Sequence, residues 1–216
     1  AHAYREWSTT PRHKQRAIEL YYAALAMGPP PDEATHRLAL AELLLEVGRY
    51  LDAEKQAQQL LIEDAQNAQA HRVFALAVWS QVLDGSLSGL DLDTETVISG
   101  LEKAHQLSPG DLQLCLAMAT LYREHGSLLD RSERSPSGRP ETTEHERQRR
   151  ADAIMNQLVE LNSSDHQAFL VRHQYRSRYH LSDLDDLKHA LELAPEDTVV
   201  LAVAGETALQ RARLLA

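Results

Sequence analysis

Apolar and polar residues alternate along this chain with the period of a helix. Ala17/Tyr21/Ala24, Ala53/Ala57/Leu60, Val97/Leu101/Ala104 and Ala151/Met155/Leu158 recur at i, i+4, i+7, which puts each trio on one helix face. A second set of stripes starts at Leu40-Ala41 with Leu44, Phe74-Ala75 with Val78, Met118-Ala119 with Tyr122, and Ala204-Gly205 with Ala208. Five breaks interrupt the pattern, and they end at Asp32, Asn67, Asp111, Ser164 and Asp197, residue types that cap helix N-termini. These caps lie 35, 44, 53 and 33 residues apart. The intervals describe a unit of about 34 residues with two units lengthened by insertions. Ten helices are predicted, near 11–27, 34–47, 51–64, 68–83, 93–107, 112–126, 142–161, 166–179, 182–194 and 198–212. Neither helix of a pair can bury its stripe alone. Neighbouring units must therefore stack into an all-α, quasi-one-dimensional solenoid with a concave face.

The residues that recur at fixed places in the unit carry a family resemblance. Residues 34–67 hold Leu40-Ala41, Leu44, Gly48, Tyr50 and Ala53, and residues 11–31 hold Ala17, Tyr21, Ala24 and Pro29. This pattern resembles the tetratricopeptide repeat, and the resemblance covers roughly residues 11–212. It implies a right-handed α-solenoid of helix-turn-helix units at 34–67, 68–111, 112–165 and 166–197, with half units at 11–31 and 198–216. Arg37, His71 and Cys115 stand in slots where the family carries aromatic or large apolar side chains. Arg172-His173 replaces the large-small pair of the fourth unit. Chaperone-binding members share a clamp of Lys, Asn and Arg for an acidic C-terminus. The corresponding positions here are Leu38, Glu42, Val73, Gln113 and Ala117, so that activity is not implied.

The insertions near 84–92 and 131–141 fall between the two helices of a unit. The second lacks apolar residues and reads as a solvated loop, with docking or phosphorylation at Ser132, Ser135 or Ser137 as the alternative. Thr143 with Glu146 spells a capping box that starts the next helix. The final stretch, 198–216, presents Leu201, Ala204 and Ala208 with no following helix to cover them. That face is expected to meet further repeats or a second copy of the chain. The chain starts without Met, and the whole of 1–216 is expected to be one solenoid domain excised from a longer protein.

Composition narrows the chemistry. The 216 residues carry a formal charge of -10, so phosphate backbones and anionic lipid surfaces are repelled on average, and neither nucleic acid nor a membrane is expected as a partner. Cys115 is the only cysteine. It excludes an internal disulfide and leaves the compartment open, with the cytoplasm compatible. Flanked by Leu114 and Leu116, it reads as a buried, inert thiol. The 11 histidines show no metal spacing, and no phosphate-binding loop or nucleophile elbow occurs. No cofactor and no catalytic activity are expected.

What remains is a surface for a protein or peptide partner. The family's inner-face positions include Leu38, Glu42 and Leu45, then Arg72, Leu76 and Trp79, then Leu116 and Thr120, then Leu170 and Gln174. A groove of this kind is expected to take a partner segment anchored on Trp79 and oriented by Glu42 and Arg72. The alternative places Trp79 in the core, against the insertion or a neighbouring helix. A basic cluster of Arg172, His173, Arg176, Arg178 and His180 is a second candidate, for a carboxylate. Pairing of its arginines with Asp183, Asp185 and Asp186 is the competing reading.

Overall fold

A computed structural model describes residues 11–27, 32–86, 94–132, 143–181 and 184–215. These residues form eleven helices and no strand: α1 (Pro11–Ala26), α2 (Glu33–Glu46), α3 (Tyr50–Glu63), α4 (Ala68–Leu83), α5 (Thr94–Leu107), α6 (Leu112–Glu124), α7 (Gly126–Ser132), α8 (Glu144–Leu161), α9 (His166–Arg178), α10 (Asp185–Leu193) and α11 (Thr198–Leu215). The pairs α2/α3, α4/α5, α6/α8 and α9/α10 are the repeat units. In addition α2 packs on α4, α4 on α6 and α6 on α9, so the first helices of successive units line up as one wall.

Helix starts follow the capping chemistry of the breaks. The Asn67 side chain accepts from the Ala70 amide, and Asp111 accepts from those of Gln113 and Leu114. Asp197 accepts from Val199 and Val200. In the fourth unit the cap is Asp165, one residue beyond the expected Ser164, and Asp32 occupies the cap position of α2 without a side-chain cap bond. The Thr143/Glu146 capping box forms in full. At the far end of α2, Gly48 adopts φ 78°, the Gly48 amide donates to Leu45 O and the Arg49 amide donates to Leu44 O. These two bonds close the helix as a Schellman motif, whose left-handed residue costs glycine nothing.

The core is two apolar clusters. One joins α1–α4 through Ile18, Tyr21, Leu40, Leu43, Leu44 and Val73, and the other runs from α4 to α11 through Leu101, Leu114, Leu121, Met155 and Leu158. Leu45 and Phe74 pack against both and make them continuous.

The extra helix, α7, corrects the expected extent of the helix predicted at 112–126. The expected helix 112–126 stops at Glu124, and seven residues from Gly126 form their own helix, which reaches the start of the insertion expected from 131. Its cause is tertiary: Leu128 and Leu129 are buried in the larger cluster, and a helical turn satisfies their backbone as they enter it. Ser132 is the last residue of α7, while Ser135 and Ser137 lie outside the described residues.

Candidate partner-binding surface

The wall of first helices carries a cavity of about 580 Å³. Helix α2 contributes Glu42, Leu45 and Glu46, the start of α3 Tyr50, helix α4 Gln69, Arg72, Leu76 and Ser80, and the start of α6 Asp111 and Gln113. The volume lies within the range of about 300–1,000 Å³ common for ligand pockets. Three units supply its sides, so stacking itself creates it.

Four sequence-selected residues, Glu42, Leu45, Arg72 and Leu76, meet here. Leu45 and Leu76 give apolar lining, with Leu76 nearly buried because its outer side also packs in the core. Arg72 is not available to orient a partner as expected. Its Nε donates to Asp111 Oδ2 at 2.6 Å and its Nη2 to Gln113 Oε1 at 2.8 Å, so its charge is answered across the α4–α6 contact. Glu42 and Glu46 stand one turn apart on α2, and Glu46 accepts from Lys14 Nζ of α1 at 3.2 Å.

The other selected positions fall elsewhere. Trp79, expected as an exposed anchor, is 4% exposed, with its indole edge-on to the His125 ring at 5.1 Å between centroids. A residue this far inside belongs to the α4–α6 packing, because α6 ends beside it. Leu38 packs half-buried against the first cluster and Leu170 is buried in the second. Leu116 is exposed and Thr120 half-buried, both outside the cavity's lining. Gln174 borders a separate depression of about 370 Å³ with Ser177, Arg178, Val203 and Glu206.

The basic cluster is spent on internal pairs. Asp186, 1% exposed, accepts from Arg172 Nε and Nη2, the latter at 2.6 Å, and from Arg176 Nη1 at 3.1 Å. Arg178 pairs with Glu124 at 2.9 Å. His173 is buried and its Nε2 lies 3.4 Å from Thr207 Oγ1 of α11, while His180 is exposed at the end of α9. Of the three acidic residues expected to pair with the arginines, Asp186 takes two of them, Asp185 pairs with Lys188, and Asp183 lies outside the described residues.

A polar knot sits nearby. The Tyr175 hydroxyl donates to Asp152 Oδ1 at 2.6 Å and accepts from Arg123 Nε at 2.9 Å, and Arg123 also donates to Asp152. Burial, then the hydrogen bond to Asp152, raises the Tyr175 pKa strongly. The Cys115 thiol lies against Pro109 O at 3.3 Å, and burial pushes its pKa up to about 12. It is protonated at neutral pH and a poor nucleophile. No group of three or more His, Cys, Asp or Glu among the described residues is placed to hold a metal ion.

Six lining residues were not selected from the sequence: Glu46, Tyr50, Gln69, Ser80, Asp111 and Gln113. Asp111 was recognisable as a cap, Tyr50 as a turn residue and Gln113 as an inner-face position. The repetition of a carboxylate from Glu42 to Glu46 was the available signal for the acidic side.

No protein-family model and no curated protein matches the sequence. Among solved structures, the chain is similar to TTC0263, a thermophilic TPR protein of Thermus thermophilus, with a TM-score of 0.64 and 19% identity over 91% of each chain. The fold is a tetratricopeptide-repeat solenoid. The solved structure of MamA is also similar, with a TM-score of 0.52 and 16% identity over 85% of this chain and 90% of that one. At such identities the solenoid shares a backbone path with its neighbours, and the side chains of the cavity are its own. No described helix of the solenoid is long and apolar enough to cross a membrane.

Proposed function

We propose that the protein is a non-catalytic interaction scaffold that receives a segment of a partner protein in the cavity between α2, α4 and α6. The observation that supports this reading is the convergence of Glu42, Leu45, Arg72 and Leu76 from two successive units on one open cavity, with Asp111 and Gln113 closing it from a third. An interhelix space that served stacking alone would be filled by side chains, as the Trp79 site is. The cavity combines apolar lining with polar edges, the composition of sites that fix a segment's register.

The test is to select peptides from a random library displayed on phage, using the full chain as bait, and to repeat binding with Ser80→Trp. Ser80 lines the cavity half-exposed, and an indole there fills it from within. Selected peptides are expected to bind the variant about tenfold more weakly or not at all, with an unchanged melting point. Equal binding would remove the reading, and Gln69→Trp at the exposed rim supplies the same test if Ser80→Trp disturbs the fold.

A second reading rests on α11. Val199, Leu201 and Leu209 are all about half exposed or more on this helix. Self-association through this helix makes the solenoid a homo-oligomeric module. Light scattering that shows a monomer at high concentration removes that reading.

A further inference from the structure

We infer that the solenoid stacks head to tail on a second copy of itself, with α1 of one copy serving as second helix to α11 of the other. The inference rests on the second reading just given, self-association through α11, and names the surface that α11 meets. Inside the chain each first helix lies between two second helices: α2 between α1 and α3, α4 between α3 and α5, α6 between α5 and α8, and α9 between α8 and α10. Among the described residues this order is broken at two places. Helix α11 packs on α10 before it and on no second helix after it, and α1 packs on α2 with no first helix of its own. The two half units are of opposite kind, so a unit made of α11 and α1 continues the same interface from one copy into the next.

Both half units leave open the positions that a complete unit closes. Three residues before the large-small pair, Arg37 of α2 donates to Gln56 of α3 at 2.9 Å; at the same place in α9, Phe169 stacks on His189 of α10 at 5.3 Å between ring centroids. In α11 that slot holds Leu201, 49% exposed. Gly205, Ala208 and Ala212 follow it on one helix face and are exposed too, while Val200 is the only buried residue among those described in α11. On α1 the positions equivalent to Gln56 and His189 are Leu20 and Ala23, counted from Tyr21 against Ala57 and Leu187. Leu20 is half-buried and Ala23 exposed, whereas Ala17, Ile18 and Tyr21, which face α2, are buried. An apolar slot on α11 thus matches two apolar positions on α1, where the inner units match polar or ring side chains to each other. Closing it leaves no buried donor unanswered at these positions. Helices α10 and α11 also frame a depression of about 250 Å³, walled by Leu184, Leu187, Leu191, Ala204 and Ala208, which gives a docked helix apolar depth. The lengths agree as well, since 16 and 18 residues make helices of about 24 and 27 Å.

Sedimentation velocity on the full chain reads the assembly. The native chain is expected to exceed the mass of a dimer and to grow with concentration, because a head-to-tail joint leaves one free end of each kind. Leu20→Arg blocks one side of the joint and Leu201→Arg the other, so each variant alone is expected to be a monomer with an unchanged melting point. Their equimolar mixture is expected to give a dimer and nothing larger, since the intact α11 of the first variant fits the intact α1 of the second. Ala23→Arg and Ala208→Arg, at exposed positions, replace them if either lowers the melting point. If the α1 variant associates like the native chain while the α11 variant does not, this inference falls and self-association through α11 stands. A native chain that stays monomeric at high concentration overturns both.

Discussion

In the unit of α2 and α3, Leu40, Ala41 and Leu44 are buried in one cluster with Ala53 and Ala57. In the unit of α9 and α10, the place of Leu40-Ala41 is taken by Arg172-His173, and the two helices are joined by the buried Asp186 and its two arginines. The helix ends differ in parallel. Gly48 closes α2 in the left-handed conformation, and the equivalent closure of α9 uses His180 at φ 56°, with Leu181 N donating to Arg176 O. One backbone plan thus tolerates a mostly apolar interface, crossed by the Arg37–Gln56 hydrogen bond, and an ionic one. The ionic version gains less net stability, because two or more charges must leave water before they meet. It does fix which helix face meets which, since a displaced Asp186 would leave buried charge unanswered.

The largest test of this contrast is Leu44→Ala. Leu44 is fully buried, and the loss of its side chain should cost about 3 to 4 kcal/mol, read as a fall in melting temperature. On the ionic side, Asp186→Ala should cost about 2 to 3 kcal/mol, somewhat below a fully enclosed pair because Arg172 and Arg176 retain some access to water. Replacing all three together, Asp186→Leu with Arg172→Met and Arg176→Met, should recover stability to within about 1 kcal/mol of the native chain. If the triple change is as harmful as Asp186→Ala, the ion pairs contribute more than the comparison allows.

Helix closure offers a smaller test with opposite signs. His180→Gly relieves a left-handed non-glycine residue and should stabilise by about 0.5 kcal/mol after the added freedom of the unfolded chain is counted. Gly48→Ala should destabilise by about 1 kcal/mol in the same denaturation assay. Two shifts of the same sign would break the equivalence of the two ends.

The smallest effect concerns the slot of Cys115 in the third unit. Its pKa is raised from an ordinary value of 9.0 to about 12 by burial and then by Asp111. The neutral thiol is the form the folded state favours, so its contribution is fully present below pH 9 and is lost as pH rises towards 12. Cys115→Ala should flatten that part of the stability profile, measured by urea unfolding between pH 8 and about 11. An unchanged slope would show that the thiol titrates at its ordinary value in the fold, not near 12.

Much of this solenoid is legible in the sequence because stacked helices repeat one problem. The stripe at Val97/Leu101/Ala104 and the caps Asn67 and Asp111 each report a local preference, and local preferences survive translation into the fold. Helix α7 escaped because seven residues hold too few turns to display a period, and its formation depends on a core supplied by other helices. Trp79 shows the opposite limit. The family resemblance puts it on the inner face, yet whether that face is covered depends on His125, 46 positions away. The cavity was half legible for the same reason. Leu45 and Leu76 follow from the inner-face positions that the family resemblance implies, whereas Ser80, Gln69 and Asp111 join them only through the offset between units.

Asp111 divides its two oxygens between separate tasks. Oδ1 receives the amides of Gln113 and Leu114 and starts α6, while Oδ2 receives Arg72. The helix therefore does not depend on what stands at position 72. On the proposed function, that position can drift through neutral or aromatic side chains and retune which partner segments the cavity admits, while the start of α6 keeps its cap. A lineage of such solenoids can diversify its clientele without reopening the question of how to fold.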